Sequence, residues 1–359
     1  MNPVPVRGRG ILEVAGLGLG HAGRPDPDSL SGVTALLPAS GSTVGVDVRG
    51  GGPATHETDV IAPGTHSYGA DAIVLTGGSA LGLRSVAGVS EVLAEAGRGF
   101  PAPGLPGTVI PLVPAAAIYD LGRGDGTPRP PTTADGAAAA RAALATDAAA
   151  PVRGSIGAGL GARSGLQSLR SSLGSFALRL PGGCTVAALV AANPLGSIGT
   201  PDGTLWAHGL LRSFGLDLPA PDALPDPERL TAPPGAAGEP GAASARNTTI
   251  AIVATEAALD PAQVTRMAAS AHAGIARAVR PSHTLFDGDT VFALATGARP
   301  LSAGGAATGE LVAISAAAAD ALSLAIIDAH VSAAPLPWAG PPCLADLAPD
   351  FVAAFAALD

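Results

Sequence analysis

Thr248 is the residue whose position in the chain most clearly suggests chemistry. It follows a Pro/Gly/Ala-rich stretch, residues 216–246, without a hydrophobic period, and it begins an apolar, β-branched run typical of a buried strand. If the Asn247–Thr248 bond were cut, Thr248 would carry a free α-amine beside its hydroxyl. Such an amine has a reference pKa of about 7.7–8, so a fraction could accept the hydroxyl proton near neutral pH. The sequence therefore indicates a threonine that could become nucleophile and base together.

Two carboxylates precede a later predicted strand, 290–296. Asp287 and Asp289 are separated by one glycine, so an extended backbone would point both side chains the same way. They could orient a nucleophile, although a hairpin turn or a weak cation site explains the same pattern. The pair is a candidate partner for Thr248.

Oxyanion donors could come from two other places. Asn193 lies before Pro194, at the end of a predicted strand, 185–192, and offers an amide N–H₂. Tyr119 ends an extended segment, 108–119, and could donate its hydroxyl. The alternatives are purely structural roles: Asn193 would form a turn, and Tyr119 would be an aromatic residue of the core.

A third polar feature is Gly78-Ser79, which follows a predicted strand, 71–76, and precedes a predicted helix, 80–96. A serine at a strand-to-helix turn is typical of a nucleophile elbow, but the second flanking glycine of that motif is absent. We therefore expect Gly78 and Ser79 to contact substrate or to be structural. The glycines of 16–20 favour turns at a sheet edge over a phosphate loop.

Composition excludes several classes of partner. The net charge is −9 and aromatic residues make up 3% of the chain, which argues against a nucleic-acid surface. The histidines form no zinc-ligand spacing, and the two cysteines, Cys184 and Cys343, are expected to be core residues. We expect no metal or cofactor, no membrane segment and a cytoplasmic location.

Strands and helices are predicted along most of the chain, with helices able to cover strands on both sides, so a layered sandwich is expected. The most clearly capped helix follows Asp260, with Pro261 at its first position and apolar residues at helical spacing. Further predictions are strands 33–37, 43–48 and 248–255, and helices 133–146, 309–332 and 347–358.

Seven motifs, in order, resemble those of the DmpA-type aminopeptidase family, which includes L-aminopeptidase/D-amidases, β-peptidyl aminopeptidases and nylon-oligomer hydrolases. They are VGVDVRGGGPATHETD (44–59), LTGGSALGL (75–83), AAIYD (116–120), GAGLGA (157–162), NP (193–194), NTTI (247–250) and HTLFDGDT (283–290). Asn-Thr at the join, with Asp287 and Asp289, is most similar to the nylon-oligomer hydrolase branch.

The resemblance implies a self-cleaving amidohydrolase or aminopeptidase for small peptides or amides, acting through an acyl-enzyme. Its fold would be α+β, a four-layer αββα sandwich similar to N-terminal-nucleophile hydrolases, with one domain over 1–359. A cut at Asn247–Thr248, after a linker of about 216–247, would give chains 1–247 and 248–359. Thr248 would be the nucleophile, Asp287 and Asp289 its orienting partners, and Asn193 and Tyr119 the oxyanion-side residues. The family also implies a tetramer.

One expected residue is missing. The nylon-oligomer hydrolase branch has an active-site lysine where this chain has Leu166, and the chain contains no lysine; Arg163 or Arg170 could supply a charge nearby. Three alternatives stay open: a nylon-oligomer-type endo-amidase, an acyltransferase like the ornithine acetyltransferases, and an uncleaved binding protein. The acyltransferases begin with a Thr-Met-Leu-type sequence after the cut, which this chain lacks.

Overall fold

The computed structural model describes residues 3–23, 26–67, 69–145, 149–221, 223–224, 247–336 and 340–358. Most of the predicted linker, 225–246, therefore lies outside the described residues. The Asn247–Thr248 join lies within the described residues.

Two sheets form the centre of the molecule. The first has the order β1-β12-β13-β14-β15-β4, with strands Val4–Val6 (β1), Thr43–Val48 (β4), Leu173–Arg179 (β12), Thr185–Asn193 (β13), Thr248–Ala257 (β14) and Thr290–Arg299 (β15). The second has the order β2-β3-β6-β9-β5, with strands Gly18–Ala22 (β2), Val33–Leu37 (β3), Thr55–His56 (β5), Ile73–Thr76 (β6) and Ala115–Ala117 (β9). Two hairpins are Phe100–Pro101 (β7) with Val109–Ile110 (β8), and Arg163–Ser164 (β10) with Leu169–Arg170 (β11).

Eight α-helices occur in the described ranges. They are Ser79–Gly82 (α1), Ser85–Glu95 (α2), Thr133–Ala145 (α3), His208–Ser213 (α4), Pro261–Ala278 (α5), Gly305–Val331 (α6), Leu344–Leu347 (α7) and Pro349–Ala356 (α8).

Alternation along the strands builds three apolar layers. On β13, Ala188 and Val190 pack towards α5 and α6, whereas Ala187 and Leu189 pack towards the second sheet. The other face of the second sheet is covered by α2 and α3. The order helices, sheet, sheet, helices is the four-layer αββα sandwich, so the predicted fold class is confirmed.

Two of the glycines of 16–20 have a different role from the predicted one. Gly18 and Gly20 lie in β2, and a Cβ on them would come within 2.5 Å of the Ala143 carbonyl and 2.3 Å of the Ala139 carbonyl. Gly16 lies in a turn before the edge strand β2, as predicted, whereas the prediction of turns is wrong for Gly18 and Gly20, because these two glycines let α3 lie directly on the strand. Strand β12 was not predicted, and the predicted helix 80–96 is two helices, α1 and α2.

Asp260 is the N-cap of α5, as predicted from the sequence. Asp260 accepts the Gln263 amide at 2.8 Å, and the Gln263 side chain accepts the Asp260 amide at 3.0 Å, which completes a capping box before Pro261.

The longest helix, α6, is apolar and long enough to cross a membrane by those criteria alone, but every residue from Ala321 to Val331 is buried in this fold. Asp328, within that buried part, accepts Arg7 Nε and Arg153 Nε at 2.9 Å each, and the Ser175 amide at 2.8 Å. One carboxylate thus joins α6 to β12 and to the N-terminal segment.

Replacing Asp328 by alanine is expected to lower the free energy of unfolding by about 3–5 kcal/mol, because two guanidinium groups lose their shared buried carboxylate. Asp320 on the same helix pairs with the half-exposed Arg277, so Asp320→Ala should cost about 1 kcal/mol or less. Urea denaturation of both variants, made in an uncut Thr248→Val chain, measures the difference. Equal losses would contradict a structural role specific to Asp328.

Candidate active site

Strand register brings Thr248, Asn193 and the two aspartates together at the ends of adjacent central strands of the first sheet. β14 runs antiparallel to β13 with Thr248 opposite Asn193, and parallel to β15 with Ile250 opposite Thr290. The loop that carries the two aspartates enters β15 directly beside the start of β14. The site therefore follows from how three central strands are aligned.

Thr248 is enclosed and is 4% exposed. Its Oγ contacts the carbonyl oxygen of Asn247, and it accepts the Gly288 N–H at 3.2 Å. The Gly288 N–H also lies 3.2 Å from the Asn247 carbonyl oxygen. Hydroxyl, carbonyl and amide donor therefore meet at the bond predicted to be cut.

Asn247 is also buried, and its carboxamide lies against the end of β13. Its Nδ2 donates to the Pro194 carbonyl at 2.8 Å. The side chain of the residue before the join is thus hydrogen-bonded to the segment that follows β13.

Each aspartate of the acidic pair holds main chain next to Thr248. Asp287 Oδ1 accepts the Leu195 amide at 3.1 Å, and Asp289 Oδ1 accepts the Thr249 amide at 2.7 Å. Burial raises the pKa of Asp287, and the neighbouring charge of Asp289 adds to this rise. The two side chains therefore diverge to β13 and β14, which differs from the parallel orientation expected of an extended pair.

A glycine run supports this loop. The Gly52 amide donates to the Asp287 carbonyl at 2.8 Å, and the Arg49 amide donates to the Asp289 carbonyl at 2.9 Å. A Cβ at Gly50 would lie 2.3 Å from both the Asp287 carbonyl oxygen and the Asp289 nitrogen. Gly50 and Gly51 therefore have no room for a side chain against the loop that carries the two aspartates, whereas a Cβ at Gly52 would make only ordinary contacts.

Asn193 has its amide fixed on both sides. Its Oδ1 accepts the Arg163 amide at 3.1 Å and also contacts Arg123 Nη1, and its Nδ2 donates to the Tyr119 carbonyl at 3.3 Å. Tyr119 therefore meets Asn193 through its backbone rather than its phenol. Asn193 is fully buried, and it lies directly opposite Thr248 on the neighbouring strand.

Arg123 was not anticipated from the sequence. Its guanidinium is buried against Asn193 and the Gly161 carbonyl, and burial lowers the pKa of Arg123 to about 9 despite the opposing charge of Asp120. The side chain of Arg163 instead reaches the Arg123 carbonyl, and Arg170 reaches Ala334. The cation on Asn193 is thus Arg123, a lone arginine in a glycine-rich loop with no distinguishing motif.

Gly78 and Ser79 are connected to the site through Asp120. The Gly78 amide donates to Asp120 Oδ1 at 2.6 Å, and the Ser79 amide donates to the Ile118 carbonyl at 2.8 Å. Burial raises the pKa of Asp120 to about 6, although the Gly78 hydrogen bond opposes the rise. These contacts place the backbone around Tyr119, and substrate contact by Ser79 stays a prediction.

Two histidines extend the network beyond Asp289. His283 donates its amide at 3.1 Å and its Nδ1–H at 2.8 Å to Asp289 Oδ2, and its ring meets that of His272 edge-on at 4.9 Å. Burial lowers the pKa of His272 to about 4, so this ring is neutral near pH 7. From the sequence, histidines were considered only as metal ligands, although His283 stands within the HTLFDGDT motif. Across the described ranges, no group of three or more potential ligand side chains is placed to hold a metal.

Leu166 belongs to a small apolar cluster beside the join. Its amide donates to the Leu195 carbonyl at 3.0 Å, and its side chain and that of Phe286 pack on Leu195. A separate cleft of about 510 Å³ is lined by residues such as Trp206, Arg277 and Arg280, and contains none of the predicted site residues.

Comparison with known proteins agrees with the motifs. The family model of Peptidase family S58 matches residues 9–339. The chain belongs to this family. Peptidase S58 members include the DmpA and β-aminopeptidase type, so the resemblance drawn from the motifs is confirmed, and the protein is a hydrolase of amide bonds.

Sequence relatives and solved structures of similar fold were also found. The S58 chain is 40% identical to an uncharacterized aminopeptidase of Mycobacterium tuberculosis (strain ATCC 25618 / H37Rv), with 94% of this chain and 98% of the relative covered. It is 28% identical to the 6-aminohexanoate-oligomer endohydrolase of Paenarthrobacter ureafaciens, with 82% and 78% covered. Its fold is similar to a Burkholderia sp. β-aminopeptidase, with a TM-score of 0.62, 24% identity, and 93% and 89% of the two chains covered.

The L-aminopeptidase D-Ala-esterase/amidase of Ochrobactrum anthropi, described as a variant of the Ntn hydrolase fold, also has a TM-score of 0.62, at 21% identity, with 93% and 88% covered. At these identities the two structures support the fold alone.

Proposed function

We propose that this S58 chain cuts itself between Asn247 and Thr248, and that Thr248 then acts as an N-terminal nucleophile in the hydrolysis of small peptides or amides. The observation that carries the proposal is the contact of the Thr248 hydroxyl with the carbonyl of the bond before it, at a buried site where the Gly288 N–H approaches both groups.

In the cutting step, Thr248 Oγ forms a bond to the Asn247 carbonyl carbon and the Oγ proton is released. The C–N bond to Thr248 then breaks, and its nitrogen takes up a proton. This leaves an ester between Asn247 and Thr248 Oγ, which water hydrolyses to an Asn247 carboxylate and a free hydroxyl on Thr248, now the first residue of the second chain. The acidic pair supports this step by fixing the Leu195 and Thr249 amides around Thr248.

In turnover, the new α-amine of Thr248 accepts the hydroxyl proton as Oγ attacks a substrate amide. The Asn193 amide, held and polarised by Arg123, donates to the oxyanion. The proton passes from the α-amine to the leaving amine, and water then cleaves the acyl-enzyme. No cofactor takes part in these steps.

The aminopeptidase-type activity is favoured over the endo-amidase. The higher-identity relatives carry aminopeptidase names, whereas the oligomer endohydrolases are 28% identical, and Leu166 replaces the lysine of that branch. The cluster of Leu166, Leu195 and Phe286 beside Asn247 also favours substrates with an apolar acyl part.

Intact mass and a paired substrate test the proposal. Purified wild-type protein is expected to give two chains of 247 and 112 residues, and to hydrolyse leucine p-nitroanilide in preference to its N-acetyl form. Equal rates on both forms would favour the endo-amidase. Transfer of the acyl group to added ornithine instead of water would favour the acyltransferase. A single uncut chain without hydrolysis would overturn the proposal and favour a binding protein.

A further inference from the structure

We propose that the backbone N–H of Gly288 is the oxyanion donor for self-cleavage, and that it acts in this step in place of Asn193. The inference rests on the proposed self-cleavage, and it assigns a catalytic group that the motifs did not indicate. It follows from the placement of one amide at the two reacting atoms.

The first observation is distance. The Gly288 nitrogen lies 3.2 Å from the carbonyl oxygen of Asn247 and 3.2 Å from Thr248 Oγ. When Oγ bonds to the carbonyl carbon, negative charge develops on that carbonyl oxygen, and a donor already aimed at it is stabilising without rearrangement. Once Thr248 Oγ is bonded to the carbonyl carbon it is an ether-type oxygen and a weaker acceptor than the oxyanion, so the Gly288 N–H is drawn to the oxyanion.

The second observation is where the other candidate donates. In the uncut chain Asn193 Nδ2 donates to the Tyr119 carbonyl at 3.3 Å, and its Oδ1 is held by Arg123 and by the Arg163 amide. One of the two Nδ2 hydrogens is therefore engaged away from the scissile carbonyl, and among the described residues the Asn193 amide makes no hydrogen bond to that carbonyl. Two donors would then serve two reactions at one hydroxyl: Gly288 for the cut and Asn193 for the substrate amide.

The third observation explains why residue 288 is glycine. A Cβ at this position would lie 2.9 Å from Thr248 Oγ and 2.8 Å from the Gly52 carbonyl oxygen. Any side chain would press on the nucleophile, so only glycine lets this N–H approach the hydroxyl and the carbonyl together. The neighbouring carbonyl of Asp287 is anchored by the Gly52 amide at 2.8 Å, which fixes the peptide plane that carries the donor.

The test removes this one N–H. In the full chain made by cell-free translation, an ester replaces the Asp287–Gly288 peptide bond, and the rate of cutting is followed by intact mass. We expect the rate to fall about 10²-fold, the scale of losing one oxyanion donor. The ester also weakens the Asp287 carbonyl as an acceptor, so a second ester, at Gly51–Gly52, serves as the matched control. It removes the N–H that binds that same carbonyl, and it should slow cutting about threefold or less.

Cutting of the 288 ester at the wild-type rate would overturn the proposal, as would equal slowing by both esters. A wild-type chain that stays uncut in the same reaction would instead overturn the proposed self-cleavage itself. If the 288 ester does not fold, hydrogen exchange in the full Thr248→Val chain decides. The Gly288 amide is expected to be protected by the Asn247 carbonyl, and exchange at the rate of an open loop amide would refute the inference.

Discussion

Replacing Thr248 by valine is expected to leave one 359-residue chain and to lower amide hydrolysis by at least about 10³-fold, since the nucleophile and the amine that activates it are lost together. Valine has the shape of threonine and keeps the β-branched strand residue. The change therefore removes a hydroxyl and little else. Intact mass measures the cut, and p-nitroanilide hydrolysis measures turnover.

The neighbouring threonine is the matched control. Thr249 is buried in the same strand, and within the described residues its hydroxyl has no hydrogen-bond partner. Thr249→Val should be cut and active within about twofold of wild type, because no hydrogen bond is lost. Thr248→Ser keeps a hydroxyl and should still be cut. A cut Thr248→Val chain would show that another residue is the nucleophile.

Replacing Asp289 by asparagine is expected to lower the rate of cutting and the turnover of any cut protein by roughly 10⁴-fold, as for an aspartate that orients a catalytic group elsewhere. Both carboxylate oxygens accept hydrogen bonds here: Oδ1 from the Thr249 amide, and Oδ2 from His283. Asparagine has one oxygen, so its NH₂ must face an N–H donor on one side. The strand that begins with Thr248 would then lose its fixed position.

Time-resolved gel electrophoresis after translation measures the cutting rate, and steady-state kinetics on the cut fraction measure turnover. The control is Asp202→Asn, since Asp202 also accepts a backbone amide, from Thr204 at 3.0 Å, in an exposed turn away from the site. It should leave both rates within about twofold of wild type. An Asp289→Asn variant with wild-type rates would remove Asp289 from the machinery and leave Asp287 as the acid to examine.

The parts of the site visible in the sequence were those with a local signal. Thr248 stands where a linker becomes a buried strand, and Asn193 stands before a proline at a strand end; strand register then brings the two opposite each other. The fold class followed from the family resemblance, and the helix after Asp260 from its cap. These features depend on neighbours in sequence, which a single chain displays.

The rest depends on distant contacts. Arg123 binds Asn193 across 70 positions, and Gly288 donates to Thr248 across 40. Gly18 and Gly20 suggested turns because only the packing of α3 shows why a strand should contain them. A glycine between two aspartates and an arginine in a glycine-rich loop have no distinguishing pattern until the backbone brings them to their partners.

The order of strands in the first sheet has a consequence for a chain cut at Thr248. β14 and β15 would belong to the C-terminal piece, and their hydrogen-bonded neighbours, β13 and β4, to the N-terminal piece. The pieces would be interlocked, since parting them means tearing a sheet at two internal seams with apolar cores on both faces. Unfolding would also change the molecularity of the system, because two separate polypeptides must meet before the sheet can form again. The uncut chain can therefore fold as a single molecule, whereas the cut protein, once unfolded, can refold only if its two chains associate again.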